Sequence, residues 1–169
     1  MNIYLLTHER ELDRETNTGR LVVDCLGGDA KRVVWERVNP NSELIDLIEK
    51  GEMALVYPKE GTEHSDVGQF ENFLIIDATW QEAKKVYCKS PYLKVAKRVA
   101  LDGNCRSVYR LRRNQPVGGL CTAECVIELL KAKGKDDLAG RLAVTFERFN
   151  NQAHLNSQSF CAKFGQLSA

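Results

Sequence analysis

Short apolar runs alternate with helical patterns along most of the chain. The runs are rich in β-branched and aliphatic residues, as in 53–56 and 73–76, and polar or turn-forming residues bound them. Alternation of this kind is typical of βα units, so it predicts an α/β fold with a mostly parallel sheet flanked by helices. The predicted strands are residues 3–6, 32–36, 53–56, 74–76 and 98–101, with a further short strand at 109–112.

Four helices follow from capping residues and from apolar positions at helical spacing. Asn39 and Pro40 open the first, whose apolar stripe covers 44–48 before a glycine ends it. Thr79 and Glu82 form a capping box at the start of the second. The last two helices are predicted at 122–133 and 137–153, and the polar residues 157–169 are expected to form a loosely held tail.

The chain length predicts a single domain over residues 1–169, since 169 residues with 43% hydrophobic content can fill one core. The longest apolar runs, such as 73–76, are far too short to span a bilayer. The first residues also lack the basic and then apolar layout of a secretory signal. These features predict a cytoplasmic protein that is not bound to membranes.

Six cysteines are scattered along the chain, and no pair has CxxC spacing. A chain of this length folds without disulfide staples, so most of the cysteines are expected to be small buried hydrophobes in a reducing compartment. No metal site is predicted from them.

Charge is distributed unevenly although the net charge is only +1. Residues 84–113 contain ten basic residues and one acid, a local charge of +9, so the rest of the chain carries −8. The basic residues are Lys84, Lys85, Lys89, Lys94, Lys97, Arg98, Arg106, Arg110, Arg112 and Arg113. This segment predicts either a surface that binds a polyanion or an ordinary solvated face.

One predicted strand ends in a carboxylate. The run ENFLIID is apolar on both faces until Asp77, and the carboxyl ends of parallel strands are where ligands bind in open α/β sheets. The next helix begins beside it, with free backbone amides and the positive end of its dipole directed at the same crevice. Asp77 is therefore a candidate functional residue, and the alternative is that it only caps the helix.

Two further segments are candidates. Gly118 and Gly119 lead into a helix start at Thr122, where glycines would let a ligand touch the backbone, but the full dinucleotide-binding pattern is missing. The stretch 7–21 carries three arginines with Asn17, Thr18 and Gly19. Arginine suits phosphate oxygens, although four acids in the same stretch leave a surface helix as the alternative.

Together these segments resemble the DTW-domain family, named for the pattern that stands here as Asp77, Ala78, Thr79 and Trp80. Three separated blocks carry the resemblance: HERELDRETNTGRL, IIDATWQEAKKV and YRLRRNQPVGGLCTAECVIELL. Members of this family are tRNA-uridine aminocarboxypropyltransferases, and the resemblance implies this activity. It also implies a SPOUT-like fold with a C-terminal knot. Two departures are Cys121, which stands where relatives usually place serine, and the lack of the cysteine-rich stretch that many members carry before the first strand. The second departure would fit a compact subgroup or a protein that has dispensed with metal-assisted RNA docking.

The resemblance also implies which residues act. Asp77 would be the catalytic base or the group that orients the uridine, with S-adenosylmethionine as co-substrate. The residues expected to contact S-adenosylmethionine are Val56, Tyr57, Pro58, Thr79, Trp80, Gly118, Gly119, Leu120, Thr122 and Glu124, the last through the methionine amino group. Those expected to hold RNA phosphates, most simply of tRNA, are Arg14, Arg20, Arg110, Arg112 and Arg113.

Other interpretations stay open at this point. The same fold and co-substrate could serve an RNA methyltransferase, and a basic surface could serve a non-catalytic RNA-binding module. A nucleophilic role for Cys121 is disfavoured because no partner histidine is identifiable. His8, His64 and His154 belong to no clear constellation, and the chain is expected to be a monomer or a homodimer.

Overall fold

The computed structural model describes residues 1–58, 64–101, 107–110 and 119–164, with side chains described as far as 152. These ranges contain five strands and six helices. The strands are β1 (Asn2–Thr7), β2 (Ala30–Val34), β3 (Met53–Val56), β4 (Asn72–Asp77) and β5 (Lys97–Val99). The helices are α1 (Gly19–Leu26), α2 (Ser42–Glu49), α3 (Trp80–Lys89), α4 (Pro91–Val95), α5 (Thr122–Ala132) and α6 (Asp136–Phe164).

The strands form one sheet in the order β2-β1-β4-β3-β5, and every described pair is parallel. The predicted α/β class with a mostly parallel sheet flanked by helices is therefore confirmed. Because the strands are parallel, all five carboxyl ends lie at the same edge of the sheet. The C-terminal knot stays a prediction; residues 102–106 and 111–118, which precede α5, lie outside the described part of the chain.

The core lies in two layers, one on each face of the sheet. Alternate residues of the strands point to opposite faces, as Phe73 and Leu74 do in β4. Helices α1, α5 and α6 cover the face of Phe73, while α2, α3 and α4 cover the face of Leu74. No helix in the part of the chain that the structure describes is long and apolar enough to cross a bilayer.

The predicted strand at 109–112 is wrong for the two of its residues that are described, Tyr109 and Arg110. The side chain of Asn150 forms hydrogen bonds with this backbone segment instead. It accepts from the Arg110 N–H at 3.1 Å and donates to the Val108 carbonyl at 2.8 Å. A side-chain amide therefore makes the hydrogen bonds that a neighbouring strand would otherwise make.

Helix boundaries differ from the prediction at three places. Asn41 caps α2 by accepting from Leu44 N–H, so the helix begins after the second asparagine and not at Asn39. Helix α6 continues to Phe164, because no glycine or proline interrupts the sequence after Gly140 until Gly165. Helix α1 was not predicted: the alternative of a surface helix over 7–21 is wrong for most of that stretch, which holds a 3-10 turn at Glu9–Glu11 and only the first three residues of α1. A loosely held tail stays a prediction.

Candidate active site

The ends of β1 and β4 place two polar side chains next to each other. Thr7 is the last residue of β1 and Asp77 the last of β4, and the register of the two strands pairs them directly. The side chains of both residues are fully buried. Asp77 therefore lies at the carboxyl edge of the sheet, as predicted, but inside the protein and not on its surface.

Three side chains donate hydrogen bonds to the Asp77 carboxylate. The hydroxyl of Thr122 donates to Oδ1 at 2.8 Å and the hydroxyl of Thr7 to Oδ2 at 3.1 Å. The amide of Asn17 lies 3.0 Å from each of the two oxygens. We call these four residues the Asp77 centre. Each oxygen has two donors nearby, so the lone pairs of the carboxylate are already used within the chain.

Asn17 connects this carboxylate to a second buried one. Its amide nitrogen also lies 3.3 Å from Glu11 Oε2, and its carbonyl oxygen accepts from Arg32 Nη2 at 2.9 Å. Glu11 is buried and forms an ion pair with the partly exposed Arg14. The two arginines therefore act on the Asp77 centre through Glu11 and Asn17, and neither touches the Asp77 carboxylate.

Gly19 lets helix α1 approach the carboxylate closely. A Cβ atom at this position would lie 2.5 Å from Asp77 Oδ2 and 2.8 Å from its carboxyl carbon, which is closer than real Cβ contacts. Gly19 is the first residue of α1, so the amino-terminal end of the helix faces the carboxylate. Only a residue without a side chain fits this position while Asp77 keeps its hydrogen bonds.

Helix α3 begins next to the Asp77 centre with the predicted capping box, which is confirmed. The Thr79 hydroxyl accepts from Glu82 N–H at 3.3 Å, and Glu82 Oε2 accepts from Thr79 N–H at 3.2 Å. The hydroxyl and the backbone N–H of Thr79 are thus both used in capping α3. The indole N–H of Trp80 is buried and has no acceptor among the residues that the structure describes. It is a free donor at the edge where a ligand was expected.

Glu124 has a structural role at the start of α5. Its carboxylate accepts from the backbone N–H groups of Cys121 and Val108, at 2.8 and 2.7 Å, and from the Ser107 hydroxyl at 2.7 Å. These contacts fasten the segment 107–110 to the helix. Burial, and after it the charge of Glu124, raises the pKa of the Cys121 thiol far above its ordinary value, which disfavours the thiolate that a nucleophile needs.

The residues predicted to contact S-adenosylmethionine fall into two groups. Thr79, Trp80 and Thr122 lie at the carboxyl edge, where Val56 ends β3 and residues 57 and 58 follow it. Leu120 and Glu124 instead line a cavity of about 550 Å³ between α5 and α6, together with Val108, Ile127, Phe146 and Asn150. Gly119 is buried in the segment that leads into α5, and Gly118 lies outside the described residues.

Two of the predicted RNA-binding arginines, Arg20 and Arg110, lie next to α6. The guanidinium of Arg20 lies 5.1 Å from the ring centre of Phe149 on α6, and Asn150 holds the backbone of Arg110. Both arginines are exposed next to α6. Arg14 is largely engaged by Glu11, and Arg112 and Arg113 fall on residues that the structure does not describe.

Thr7, Glu11 and Arg32 belong to the site but were not singled out from the sequence. Thr7 carried a usable signal, because it ends the first strand and the carboxyl ends of parallel strands meet at one edge. No sequence signal pointed to Glu11 or Arg32. Within the described ranges, no three His, Cys, Asp or Glu side chains lie close enough together to hold a metal ion.

Comparison with known proteins assigns the chain to a family. The family model described as the DTW domain matches residues 1–154. The proteins named tRNA-uridine aminocarboxypropyltransferase 2 from Macaca fascicularis and Mus musculus are 26% identical over 147 residues and 25% identical over 150 residues. Each match covers 80% of this chain but only 49% of the relative, so the chain spans about half the length of these relatives. No solved structure matches significantly. Since the family model covers almost the whole chain, the protein belongs to the DTW-domain family.

Proposed function

We propose that this protein transfers the 3-amino-3-carboxypropyl group of S-adenosylmethionine to a uridine of tRNA. One observation carries the proposal: the three sequence blocks that define the resemblance meet on a single carboxylate. Asn17 comes from the amino-terminal block, Asp77 from the signature block and Thr122 from the carboxyl-terminal block, and all three are hydrogen-bonded together. The names of the two relatives support the reaction class.

The residues at the carboxyl edge fit a ligand such as S-adenosylmethionine. Helices α3 and α5 both begin there, and helix amino termini bind carboxylates such as that of the methionine moiety. The unpaired indole N–H of Trp80 is a further donor. When bound, the sulfonium makes the adjoining methylene electrophilic: the uridine imide nitrogen loses its proton and bonds to that carbon, the carbon–sulfur bond breaks, and methylthioadenosine leaves with the electron pair.

Two roles for Asp77 are consistent with this reaction. As the base it would take the imide proton, and a positioned base contributes roughly a hundredfold to ten-thousandfold in rate. Its carboxylate is fully buried and already accepts from Thr7, Asn17 and Thr122, so one donor must give way before uridine can reach it. As a positioning residue it would instead hold the three blocks together at the carboxyl edge. The geometry supports the positioning role better.

The exposed arginines support an RNA substrate. Arg20 and Arg110 flank α6, and each phosphate that they neutralise would release counterions and make binding salt-dependent. The uridine would have to leave its stack, because its imide edge is hidden in a base pair. At this edge the indole N–H of Trp80, which has no acceptor among the described residues, would be available to such a base.

The reaction is tested by incubating the protein with bulk tRNA and S-adenosylmethionine labelled either in the carboxyl group or in the methyl group. Carboxyl label in the RNA, with methylthioadenosine as the second product, is the expected result. Methyl label in the RNA would replace the proposal with methyl transfer. Binding of tRNA without transfer of either label would reduce the protein to a binding module.

The role of Asp77 is tested by Asp77→Asn, which keeps the size of the side chain but removes the charge and replaces one acceptor oxygen with a donor. If Asp77 is the base, transfer by the folded protein should fall by at least about a hundredfold, and the melting temperature should fall as well because one buried acceptor is lost. Transfer near the wild-type rate would assign Asp77 to positioning. Asp46→Asn, on the exposed face of α2, is the matched control and should change neither quantity.

A further inference from the structure

Two aromatic rings stack on each other at the carboxyl edge, beside the Asp77 centre. The rings of His8 and Trp35 have centroids 5.6 Å apart and planes 27° apart, and both side chains are half-buried. Each residue directly follows a strand, His8 after β1 and Trp35 after β2. The His8 N–H donates to the Asp77 carbonyl oxygen at 3.1 Å. The pair is thus attached to the strand that carries the candidate catalytic carboxylate.

Hydrogen bonds fix both rings before any ligand arrives. The indole N–H of Trp35 donates to the Ser90 hydroxyl at 2.9 Å, and its backbone N–H donates to the Thr7 carbonyl at 2.9 Å. His8 Nδ1 accepts from the Arg10 N–H at 3.3 Å. A ring that is already immobilised loses little conformational entropy when a flat ligand stacks on it. The pair therefore has the properties of a preformed stacking surface.

Exposed lysines lie on the two helices that meet at the hydrogen-bond partner of Trp35. Ser90, the partner of Trp35, joins α3 to α4, and the exposed lysines of these helices and of the start of β5 are Lys84, Lys85, Lys89, Lys94 and Lys97. The one acid in α3, Glu82, is held in the capping box with Thr79. Helices α3 and α4 therefore present a cationic surface that complements a phosphate backbone, whereas the exposed residues directly beside the rings include two acids, Glu9 and Glu36.

We propose that His8 and Trp35 form a stacking platform for a nucleobase of the RNA substrate, next to the nucleotide presented at Asp77, while the lysines of α3 and α4 bind the adjoining phosphates. The inference rests on the proposed function, since it assumes an RNA substrate. When a uridine leaves its stack, the face of its neighbour is exposed, and an aromatic ring can cover that face. Stacking of this kind is tolerant of sequence, because every base has a flat face.

The test compares two fluorescently labelled probes of equal length: a single-stranded oligouridylate and a ribose-phosphate strand without bases. Trp35→Leu should weaken binding of the oligouridylate by roughly 5- to 150-fold and leave binding of the abasic strand unchanged. Trp35→Phe, which keeps a ring, should retain most of the affinity. His8→Ala should also weaken binding of the oligouridylate, and it replaces Trp35→Leu in the test if the leucine variant does not fold. Val38→Ala, at a position 92% exposed on the same segment, should change nothing.

Two results would overturn the platform: wild-type affinity for the oligouridylate in both Trp35→Leu and His8→Ala, or an equal loss for both probes, which would mean a general polyanion surface. The labelled-transfer assay separates this failure from failure of the proposed function. Carboxyl transfer by the wild type with unaltered binding by the ring variants refutes the platform alone. Base-dependent binding that the variants lose, without any transfer, supports the platform and refutes the proposed reaction.

Discussion

Replacing Gly19 by alanine sets two physical effects against each other. Gly19 begins helix α1, and alanine in a helix is favoured over glycine by up to about 1 kcal/mol. The added Cβ, however, would lie 2.5 to 2.9 Å from three atoms of the Asp77 carboxyl group. Helix propensity predicts a more stable protein, whereas the contact predicts a less stable one, so the sign of the change tests the geometry.

The steric overlap with Asp77 should destabilise the protein by more than the gain in helix propensity stabilises it. Asp77 cannot move away without lengthening its bonds to Thr7, Asn17 or Thr122, and a buried hydrogen bond to a charged group contributes about 1.5–3 kcal/mol. Overpacking itself costs about 1–3 kcal/mol. After subtraction of the gain in helix propensity, the free energy of unfolding should fall by about 1.5–5 kcal/mol.

Urea unfolding of Gly19→Ala and Gly140→Ala measures this directly. Gly140 also lies in a helix, α6, and a Cβ there meets nothing within 4 Å, so its alanine variant should be unchanged or more stable by up to about 1 kcal/mol. Introducing Gly19→Ala into an Asp77→Ala background should remove the penalty, because the clashing atoms are gone. A Gly19→Ala protein as stable as the wild type would refute the close approach of α1 to the carboxylate.

Two further predictions concern hydrogen bonds at opposite ends of the sheet. Thr122→Val removes one donor to the buried Asp77 and should lower the free energy of unfolding by about 1.5–3 kcal/mol, whereas the exposed Thr145→Val should change it little; equal effects in urea unfolding would contradict this. Lys133, and after it the terminal amine, holds the pKa of Glu71 at about 2, below its ordinary 4.5, so this pairing stabilises the fold above pH 4.5 and is lost as pH falls toward 2. The melting temperature of Glu71→Gln should lie slightly below that of the wild type near neutral pH and converge on it near pH 2, and a constant difference would exclude the assignment.

Features that depend on a few neighbouring residues could be predicted from the sequence. The capping box of Thr79 and Glu82, the strand Met53–Val56 and the position of Asp77 at a strand end are examples. Each is encoded within about one helical turn or one strand. Where two adjacent signals compete, as with Asn39 and Asn41, the pattern predicts the helix but not which residue caps it.

The Asp77 centre could not be predicted in the same way. Its members are separated from Asp77 by 70, 60 and 45 positions, and no periodicity links them. Asn17 lies in a charged stretch whose pattern is also typical of a surface helix. Its role depends on the contact with Asp77, which only the folded chain makes. The incorrect strand at 109–112 has the same cause, because the partner of that backbone is the distant Asn150. The family resemblance identified the blocks but not the contacts between them.

The position of the helices explains how a buried carboxylate is tolerated without a cation in contact with it. Gly19 and Thr122 are the first residues of α1 and α5, and each lies against the Asp77 carboxylate, while α3 begins three positions after it. A negative charge at a helix amino terminus is stabilised by about 0.3–1 kcal/mol, and by up to about 2 kcal/mol where the site is partly buried. The two helix ends that lie against the carboxylate, with hydroxyl and amide donors, replace the counterion that burial of a charge otherwise requires. The same arrangement joins the three blocks, because the signature block contributes the carboxylate and the other two each contribute a helix start and a side chain that donates to it. A change in any block should therefore alter the geometry of the whole centre.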